Sequence, residues 1–404
     1  MSNSSTSKQV SKQQSVPREF PLWLHPNGSW CKKVRGKVHY FGPAGDPQKA
    51  LEKWLAEKDD LIAGREPRGE QDRATIRDLL NRFLTAKKIA SDKGEIARRS
   101  LRDYHGTTDR IARVLGVNTV LTSLRASDFE SLRADMAKTL SLASMKPEII
   151  RARSVFAYAF DVELVEKPIR FGPAMDVPDG KALKRLRQQQ RQTNGPKMFE
   201  AAEIRAMLGV ANTQMKAMIL LGINCGFGNN DCAKLPRSSV DLGGGWINFP
   251  RPKTGAERRI PLWKETVEAL REVYAKRADA KVPADDGLVF LTKNGTPLIR
   301  MNTHGDRPGS WMDRVLNAFK TVKAKLDLKN NGRGFYALRH TTETIGGEAR
   351  DQVALNYIMG HTDSSMAATY RERIDDSRLK AVTDHIREWL WSNASCAENA
   401  TSGE

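Results

Sequence analysis

The sequence predicts a mainly α-helical protein with small β-sheets, in which a three-stranded β module, a helical domain and a mixed α/β domain follow one another. Two turn signals separate short strands near the N-terminus, and apolar residues recur at helical spacing through the middle of the chain. The second half combines helical stretches with one segment that has the pattern of a β-hairpin. With 404 residues, 39% of them hydrophobic, the chain is long enough for two or three buried cores.

Changes in composition predict the boundaries between these parts. We expect a flexible tail, a β-β-β-α module, a helical domain, a basic linker, a mixed α/β domain and a second flexible tail over residues 1–19, 20–66, 72–166, 167–195, 196–391 and 392–404. The linker begins in a stretch rich in proline and glycine. The first tail is polar and lacks the apolar core of a signal peptide, and no apolar run is long enough to span a bilayer. We therefore expect a cytoplasmic protein that makes no membrane contact.

The formal net charge of +18 at pH 7 predicts a polyanionic partner. Neutralising phosphates with basic side chains releases condensed counterions, which favours binding to nucleic acid. A surface that is basic only for solubility is the alternative. The four cysteines, Cys31, Cys225, Cys232 and Cys396, show no CxxC spacing. They predict neither a zinc site nor a disulfide framework.

Residues 20–42 predict three short strands, because Asn27-Gly28 is a hairpin signal and Arg35-Gly36-Lys37 marks a second turn. A helix follows, with Asp46 as its cap and Pro47 in its first turn. Its expected apolar stripe consists of Leu51, Trp54, Leu55 and Leu61. We expect the sheet to pack one face on this helix and to offer basic side chains to a DNA groove from the other. These side chains are Lys32, Lys33, Arg35 and Lys37; a structural module with ordinary surface lysines is the alternative.

The next region predicts a helical bundle. Ile76, Leu79, Leu80 and Phe83 repeat at helical spacing, and Ser127-Asp128-Phe129-Glu130 has the pattern of a capping box at the start of another helix. The second half of the basic linker carries Lys184, Arg185 and Arg187. We expect these side chains to contact DNA phosphates between two domains, and a solvated basic helix is the alternative.

The mixed domain carries a set of residues that together suit one chemistry. "YALRHTTETI" places Arg339 in a mostly apolar helix, where a buried guanidinium is expected to need an anionic partner. "IMGHTDSSMAATY" places Tyr370 nine residues after His361, and "RPKTGAERRIPL" predicts a hairpin with Lys253 beside its turn. Tyrosine can attack a phosphodiester, arginine can bind the non-bridging oxygens, and histidine and lysine can move protons. This chemistry requires no metal, and we expect no cofactor.

These segments resemble the C-terminal signature of the tyrosine recombinases, the phage integrase family. The resemblance implies that Tyr370 is the nucleophile, Arg339 the second phosphate-binding arginine, His361 a helper beside the scissile phosphate and Lys253 the general acid. It also implies that the β module is an arm-type DNA-binding module, and that the helical domain is a core-binding domain. Relatives clamp double-stranded DNA and exchange strands as tetramers. The apolar face of the last helix (Leu379, Val382, Ile386 and Leu390) is expected to dock on a neighbouring protomer or on its own domain.

Two positions depart from the family pattern. Gly228 stands where the first arginine of the family belongs, and Tyr336 replaces a histidine but can still donate a hydrogen bond to phosphate. The side chains that could compensate for Gly228 are Arg237, Arg251, Arg258 and Arg259, with Asn229 and Asn230 as uncharged donors. Three functions follow: an integrase that cuts and rejoins DNA at specific sites, a DNA-binding accessory protein without cleavage, or a type IB topoisomerase.

Overall fold

The computed structural model describes residues 20–64, 74–301, 311–329, 331–363 and 365–392. The predicted tail at residues 1–19, Cys396 and all of the predicted C-terminal tail except Ser392 lie outside the described residues. The described chain is mainly helical with small antiparallel sheets, which confirms the predicted fold class. It divides into two compact units, Met1–Arg185 and Leu186–Glu404, and the boundary falls inside the helix Gly180–Asn194. No described helix combines the length and the hydropathy needed to cross a membrane.

The first unit contains three strands and the helices α1 to α5, and α6 runs across the boundary. The strands are β1 (Trp23–Leu24), β2 (Ser29–Val34) and β3 (Lys37–Pro43). The helices are α1 (Pro47–Ala63), α2 (Ile76–Asp92), α3 (Arg98–Leu115), α4 (Ala126–Thr139), α5 (Leu142–Asp161) and α6 (Gly180–Asn194).

The second unit contains two further sheets and the helices α7 to α15. Its strands are β4 (Val240–Asp241), β5 (Trp246–Asn248), β6 (Arg259–Pro261), β7 (Ile299–Met301) and β8 (Trp311–Asp313). Its helices are α7 (Ala201–Val210), α8 (Thr213–Asn224), α9 (Asn229–Lys234), α10 (Lys264–Lys276), α11 (Arg314–Lys325), α12 (Ala337–Glu348), α13 (Gln352–Met359), α14 (Met366–Thr369) and α15 (Asp376–Trp391).

The N-terminal module has the predicted β-β-β-α order, with turns at both expected places. The sheet order is β1-β2-β3, with antiparallel neighbours throughout. The core between the sheet and the helix contains Trp30, Val34 and Phe41 from the strands and Ala50, Trp54 and Leu61 from α1. Asp46 caps α1, since its Oδ1 accepts a hydrogen bond from Lys49 N at 3.1 Å. Leu55 is 50% exposed, so the expected stripe was wrong at that position. The residue lies about 100° around the helix from Trp54, outside the face that meets the sheet.

Helices α2 to α5 pack around a shared apolar core. The predicted residues Ile76, Leu79, Leu80 and Phe83 are all buried on α2, which confirms the helical pattern. The predicted capping box was displaced, because α4 begins at Ala126 rather than after Ser127. Asp128 accepts a hydrogen bond from Arg125 N at 2.8 Å. The Asp128 carboxylate therefore caps the N-terminus of α4, and the Ser127 hydroxyl takes no part in the cap.

The last helix, α15, packs on its own domain. Leu379, Val382, Ile386 and Leu390 are fully buried there, against elements that include α7, α12 and α13. Two bidentate ion pairs join the helix to the rest of the unit, from Arg259 to Asp376 and from Arg387 to Glu265. Of the two docking alternatives left open by the sequence, the structure has the intramolecular one.

Gly222 of α8 lies against Leu338 of α12, the helix that carries Arg339. A Cβ added at Gly222 would lie 2.7 Å from Leu338 Cδ1 and 3.1 Å from Leu338 Cβ. We therefore expect Gly222→Ala to lower the free energy of unfolding by about 1–3 kcal/mol, measured by urea unfolding followed by circular dichroism. Gly347→Ala on α12 is the control, because a Cβ there meets no atom within 4 Å and alanine favours a helix. Equal stability of the two variants would contradict this close approach of α8 and α12.

Candidate active site

Three chain segments meet at the turn that ends α13. Gly360 caps this helix with φ 61°, in the left-handed region that favours glycine. The carbonyl of Met359 accepts a hydrogen bond from Arg339 Nη2 at 2.5 Å, and that of Gly360 accepts one from Arg251 Nη1 at 3.3 Å. Thr254 Oγ1 also contacts the Gly360 carbonyl, at 3.5 Å. Helix α12 and the β5–β6 loop are thereby fixed on the two peptide groups that precede His361.

Arg339 is buried, with 3% of its surface exposed, and its partners are backbone carbonyls. Besides Met359, it donates from Nη1 to the Gly226 carbonyl at 2.7 Å. The expectation of an anionic partner was wrong for the described residues, in which no carboxylate forms an ion pair with this guanidinium. Burial lowers the pKa of Arg339, and the nearby positive charge of Arg251 lowers it further. An arginine still keeps its proton in a protein, so Arg339 brings an unneutralised charge to the site.

His361 follows Gly360 and has two polar neighbours from α12 and α13. Its Nδ1 lies 3.3 Å from Asn356 Oδ1 and 3.9 Å from Glu343 Oε2. Burial lowers the pKa of His361; Glu343 opposes this shift, and Arg339 and Arg251 add to it. The imidazole is therefore neutral at pH 7 and can accept a proton.

Lys253 occupies the loop of the predicted hairpin, which is confirmed. Strands β5 and β6 pair from Trp246↔Pro261 to Asn248↔Arg259, and Arg251 N donates to the Ala256 carbonyl at 2.8 Å within the loop. The Lys253 side chain is exposed, and its amine has no hydrogen-bond partner among the described residues. Because Thr254 contacts Gly360, the loop that carries this lysine is attached to the residue before His361.

Tyr370 ends the short helix α14 and is 76% exposed. Its backbone N–H donates to the Met366 carbonyl at 3.3 Å, whereas its phenol has no hydrogen-bond partner among the described residues. No hydrogen bond or ring contact in that part of the chain joins Tyr370 to Arg339 or His361. The structure brings together Arg339, His361 and the loop that carries Lys253, and it leaves the tyrosine side chain free.

The backbone at Gly228 is covered by Tyr336. A Cβ at Gly228 would lie 3.0 Å from Tyr336 Cδ2 and 3.3 Å from Asp231 Oδ2. Tyr336 itself is 47% exposed and meets the ring of His340 edge-on, with the centroids 5.7 Å apart. Asp231 accepts from Gly228 N at 2.8 Å and from Arg258 Nη2 at 3.1 Å. The place of the family arginine is thus filled by an aromatic ring and a carboxylate.

Three neighbours of the site were not singled out from the sequence, namely Asp231, Glu343 and Asn356. Glu343 follows Arg339 by four residues on α12, so the two side chains share one face of the helix, and this spacing is a signal the sequence contained. Asn356 and Asp231 gave no such signal, because their roles depend on where His361 and Arg258 arrive from other segments.

The predicted DNA-binding side chains differ in their surroundings. Lys33, Arg35 and Lys37 are exposed, but Lys32 is half-buried, with its Nζ 4.7 Å from the centroid of the Trp54 ring of α1. Lys32 therefore lies on the helix side of the sheet, and Arg35 Nη1 donates to the Ile62 carbonyl at 3.3 Å. The other three predicted side chains, Lys184, Arg185 and Arg187, belong to α6 and are exposed to solvent.

The two histidines of this site predict a loss of stability in mild acid. Burial lowers the pKa of both His340 and His361, so the unfolded chain binds protons there more readily than the folded chain. Their contribution is complete above the unfolded value of about 6.5 and declines as the pH falls below it. We expect the double variant His340→Gln/His361→Gln to lose less Tm than the wild type between about pH 7 and pH 5. Above about pH 7.5 the Tm values of the two proteins should change in parallel. An equal loss of Tm in acid would contradict the lowered pKa of the two histidines.

The chain is similar to known integrases in sequence and in fold. Residues 197–376 match the model of the phage integrase family, and no curated protein matches the chain. A lambda integrase dimer bound to a COC′ core site is 17% identical with a TM-score of 0.53, over 90% of this chain and 99% of that one. A lambda integrase tetramer bound to a Holliday junction is 15% identical with a TM-score of 0.51, over the same shares of the two chains.

The Tn1549 transposon integrase in complex with transposon right end DNA has a TM-score of 0.53 at 15% identity, over 78% of this chain and 100% of that one. At these identities the solved structures indicate a shared fold, and the family model covers the segment that holds Arg339, His361, Lys253 and Tyr370. Residues 197–376 of this chain therefore match the model of the phage integrase family, and the chain is similar in fold to known integrases.

Proposed function

We propose that this protein is a site-specific DNA recombinase that cuts and rejoins duplex DNA through a 3′-phosphotyrosyl intermediate. The observation that carries the proposal is the buried Arg339, which has no carboxylate partner among the described residues. Its guanidinium donates to the carbonyl of Met359, two residues before His361. A charge held in this way is suited to a phosphate that arrives from outside the protein. The same segment contains an exposed tyrosine, Tyr370, and an exposed lysine, Lys253, which can supply the nucleophile and the proton donor of this chemistry.

In this proposal, cleavage transfers the phosphoryl group from the 5′ oxygen of the sugar to the oxygen of tyrosine. The Tyr370 oxygen attacks the phosphorus, the bond from phosphorus to the 5′ oxygen breaks, and the DNA 3′ end becomes esterified to the phenol. Neutral His361 accepts the phenolic proton, and Lys253 donates a proton to the leaving 5′ oxygen. Arg339 stabilises the charge on the non-bridging oxygens, and Tyr336 donates a hydrogen bond to them. Rejoining is the reverse reaction, with a 5′ hydroxyl of another strand as the nucleophile.

The free phenol of Tyr370 fits this proposal if DNA binding brings the ring to the phosphate. The segment between Gly360 and Asp376 is attached at both ends, by the hydrogen bonds to the Gly360 carbonyl and by the pair of Asp376 with Arg259. Between these points α14 is only four residues long. In this proposal, movement of this one segment carries the tyrosine to the phosphate.

We further propose that the protein binds double-stranded DNA and acts as a homo-tetramer. In this proposal residues 20–66 form the arm-type module, 72–166 the core-binding domain and 196–391 the catalytic domain. Support comes from the exposed basic side chains on the sheet and on α6, and from the solved neighbours, which are a dimer and a tetramer of integrase on DNA.

Covalent capture tests the cleavage step. The probe is a library of nicked duplexes with a randomised core, from which protein–DNA adducts are isolated on a denaturing gel and sequenced to give a preferred site. We expect the wild type to form an adduct and Tyr370→Phe to form none, because only the phenol can become esterified. Tyr274→Phe is the matched control: it also removes one phenol of this domain, and its hydroxyl has no hydrogen-bond partner among the described residues.

A DNA-binding accessory protein is the second candidate, and Gly228 favours it. An arginine that stabilises a phosphoryl-transfer transition state contributes roughly 10³–10⁵ in rate, and this one is missing from its family position. Site-specific DNA binding with no adduct from the wild type, in the assay above, would establish the accessory function and exclude the recombinase.

The exposed lysines of the sheet predict salt-dependent DNA binding. We expect the double variant Lys33→Ala/Lys37→Ala to bind a duplex more weakly, because each phosphate that a lysine neutralises adds about 0.9 to the slope of log K against log salt. Fluorescence anisotropy over about 50 to 200 mM salt measures the slope, which should fall by about 2. Lys53→Ala is the control, since Lys53 lies on α1 and pairs with Glu57 at 4.0 Å. An unchanged slope would remove the sheet from the DNA interface.

A further inference from the structure

Three arginine side chains reach the turn before His361, and one carboxylate, that of Asp231, is bound to one of them. Arg251 and Arg258 both touch Gly360, because an added Cβ there would lie 3.0 Å from Arg251 Cβ and 2.8 Å from Arg258 Cδ. Arg339 reaches the neighbouring carbonyl of Met359. Asp231 pairs with Arg258 and with neither of the others among the described residues. Such a cluster has an excess of positive charge before any DNA is present.

The four arginines that could compensate for Gly228 differ in the contacts that their side chains already make. Arg258 is buried, bound to Asp231 and to the Phe249 carbonyl, and its guanidinium lies 4.6 Å from the Phe227 ring centroid. Arg259 forms a bidentate pair with Asp376. Arg237 lies over the ring of Tyr274, at 6.0 Å.

Arg251 is the remaining one, and of the four it is the one whose guanidinium donates a hydrogen bond to the turn before His361 in the described part of the chain. It is half-buried, so part of its surface faces solvent, and its one side-chain hydrogen bond among the described residues goes to the Gly360 carbonyl. No carboxylate of the described chain pairs with it. Its positive charge acts on both groups of the site, since it lowers the pKa of Arg339 and that of His361.

We propose that Arg251 supplies the guanidinium that Gly228 lacks, and that Arg251 and Arg339 together bind the non-bridging oxygens of the scissile phosphate. The two side chains donate to consecutive carbonyls, those of Gly360 and Met359, and the positive charge of Arg251 acts on Arg339. Two repelling cations without a carboxylate are stabilised by a shared anion, and a phosphodiester has two oxygens to offer. This inference rests on the recombinase function proposed above.

Next to α9, the space beside Gly228 is already occupied by other side chains. A Cβ at Gly228 would lie 3.0 Å from the Tyr336 ring, so a longer side chain at this position would require that ring to move. Asp231, which follows Gly228 by three residues, is already bound to Arg258. Arg258 is thus a positioning residue, which holds the β5–β6 loop on the turn of α9, whereas Arg251 faces the reacting group.

The first experiment compares cleavage rates of the full-length protein on the nicked duplex selected by the wild type. We expect Arg251→Ala to form the Tyr370 adduct at least about 10²-fold more slowly, and Arg251→Lys to be intermediate, because lysine keeps the charge and loses the fork. Arg271→Ala is the matched control, since Arg271 is an exposed arginine that also donates to one carbonyl, that of Leu242 at 3.2 Å. A rate for Arg251→Ala within a few-fold of the control would overturn the proposal.

The second experiment separates a contact to phosphate from a structural effect. The same duplex is made with a methylphosphonate at the scissile position, which removes the negative charge that a guanidinium neutralises. We expect the difference between wild type and Arg251→Ala to shrink to less than about tenfold on this duplex, because the charge to be stabilised is gone. An undiminished difference would mean that Arg251 acts by holding the fold, and would overturn the assignment.

A third measurement does not depend on catalysis. Inorganic phosphate should raise the Tm of the wild type, because a ligand that binds the folded state stabilises it, and should raise that of Arg251→Ala less. If the wild type forms no adduct but shows this difference, the recombinase function fails and the anion site at Arg251 stands. If the wild type forms an adduct and the phosphate effect and the rate are both indifferent to Arg251, the recombinase stands and Arg251 has no part in it.

Discussion

The site depends on one buried guanidinium that is satisfied by the ends of two helices. Arg339 donates to the carbonyls of Gly226 and Met359, which lie just beyond α8 and at the end of α13. Carbonyls at a helix C-terminus lack intrahelical donors and carry partial negative charge, so they stabilise a cation without cancelling it. The turns that expose them need glycine, since Gly226 and Gly360 have φ of 62° and 61°. This arrangement holds Arg339 in place and leaves its charge for a bound anion.

Much of this fold could be predicted from local patterns, and most of the site's partners could not. The turn at Asn27-Gly28, the stripe of α2 and the hairpin around Lys253 are signals within a few residues of each other, and the structure has all three. The partner of Arg339 was expected to be an anion because a buried charge is costly alone. The actual partners lie 113 and 20 positions away in the sequence and belong to the backbone, which has no sequence signal.

The packing of α15 limits how far Tyr370, the proposed nucleophile, can move. An apolar face at helical spacing shows that the helix is covered but does not say by what, so the sequence left two alternatives. In the structure the face is buried in its own domain, and Asp376 is bound to Arg259 at the start of the helix. Asp376 lies six positions after Tyr370, and a fully extended chain of that length spans about 20 Å. The tyrosine therefore stays close to the domain that holds its own Arg339 and His361.

With Arg251 as the phosphate-binding arginine we propose, the β5–β6 loop and not α9 determines the position of this guanidinium. An arginine at position 228 would be fixed by α9, whereas Arg251 is fixed by the loop that also carries Lys253, two residues away. This loop is attached to the site through the Gly360 carbonyl, which accepts from Arg251 and from Thr254, and through the Arg258–Asp231 pair. In the proposed mechanism, this one loop therefore positions both the phosphate-binding Arg251 and Lys253, the proton donor for the leaving oxygen. A disturbance of its contact with Gly360 affects both groups together, which an arginine on α9 would not allow.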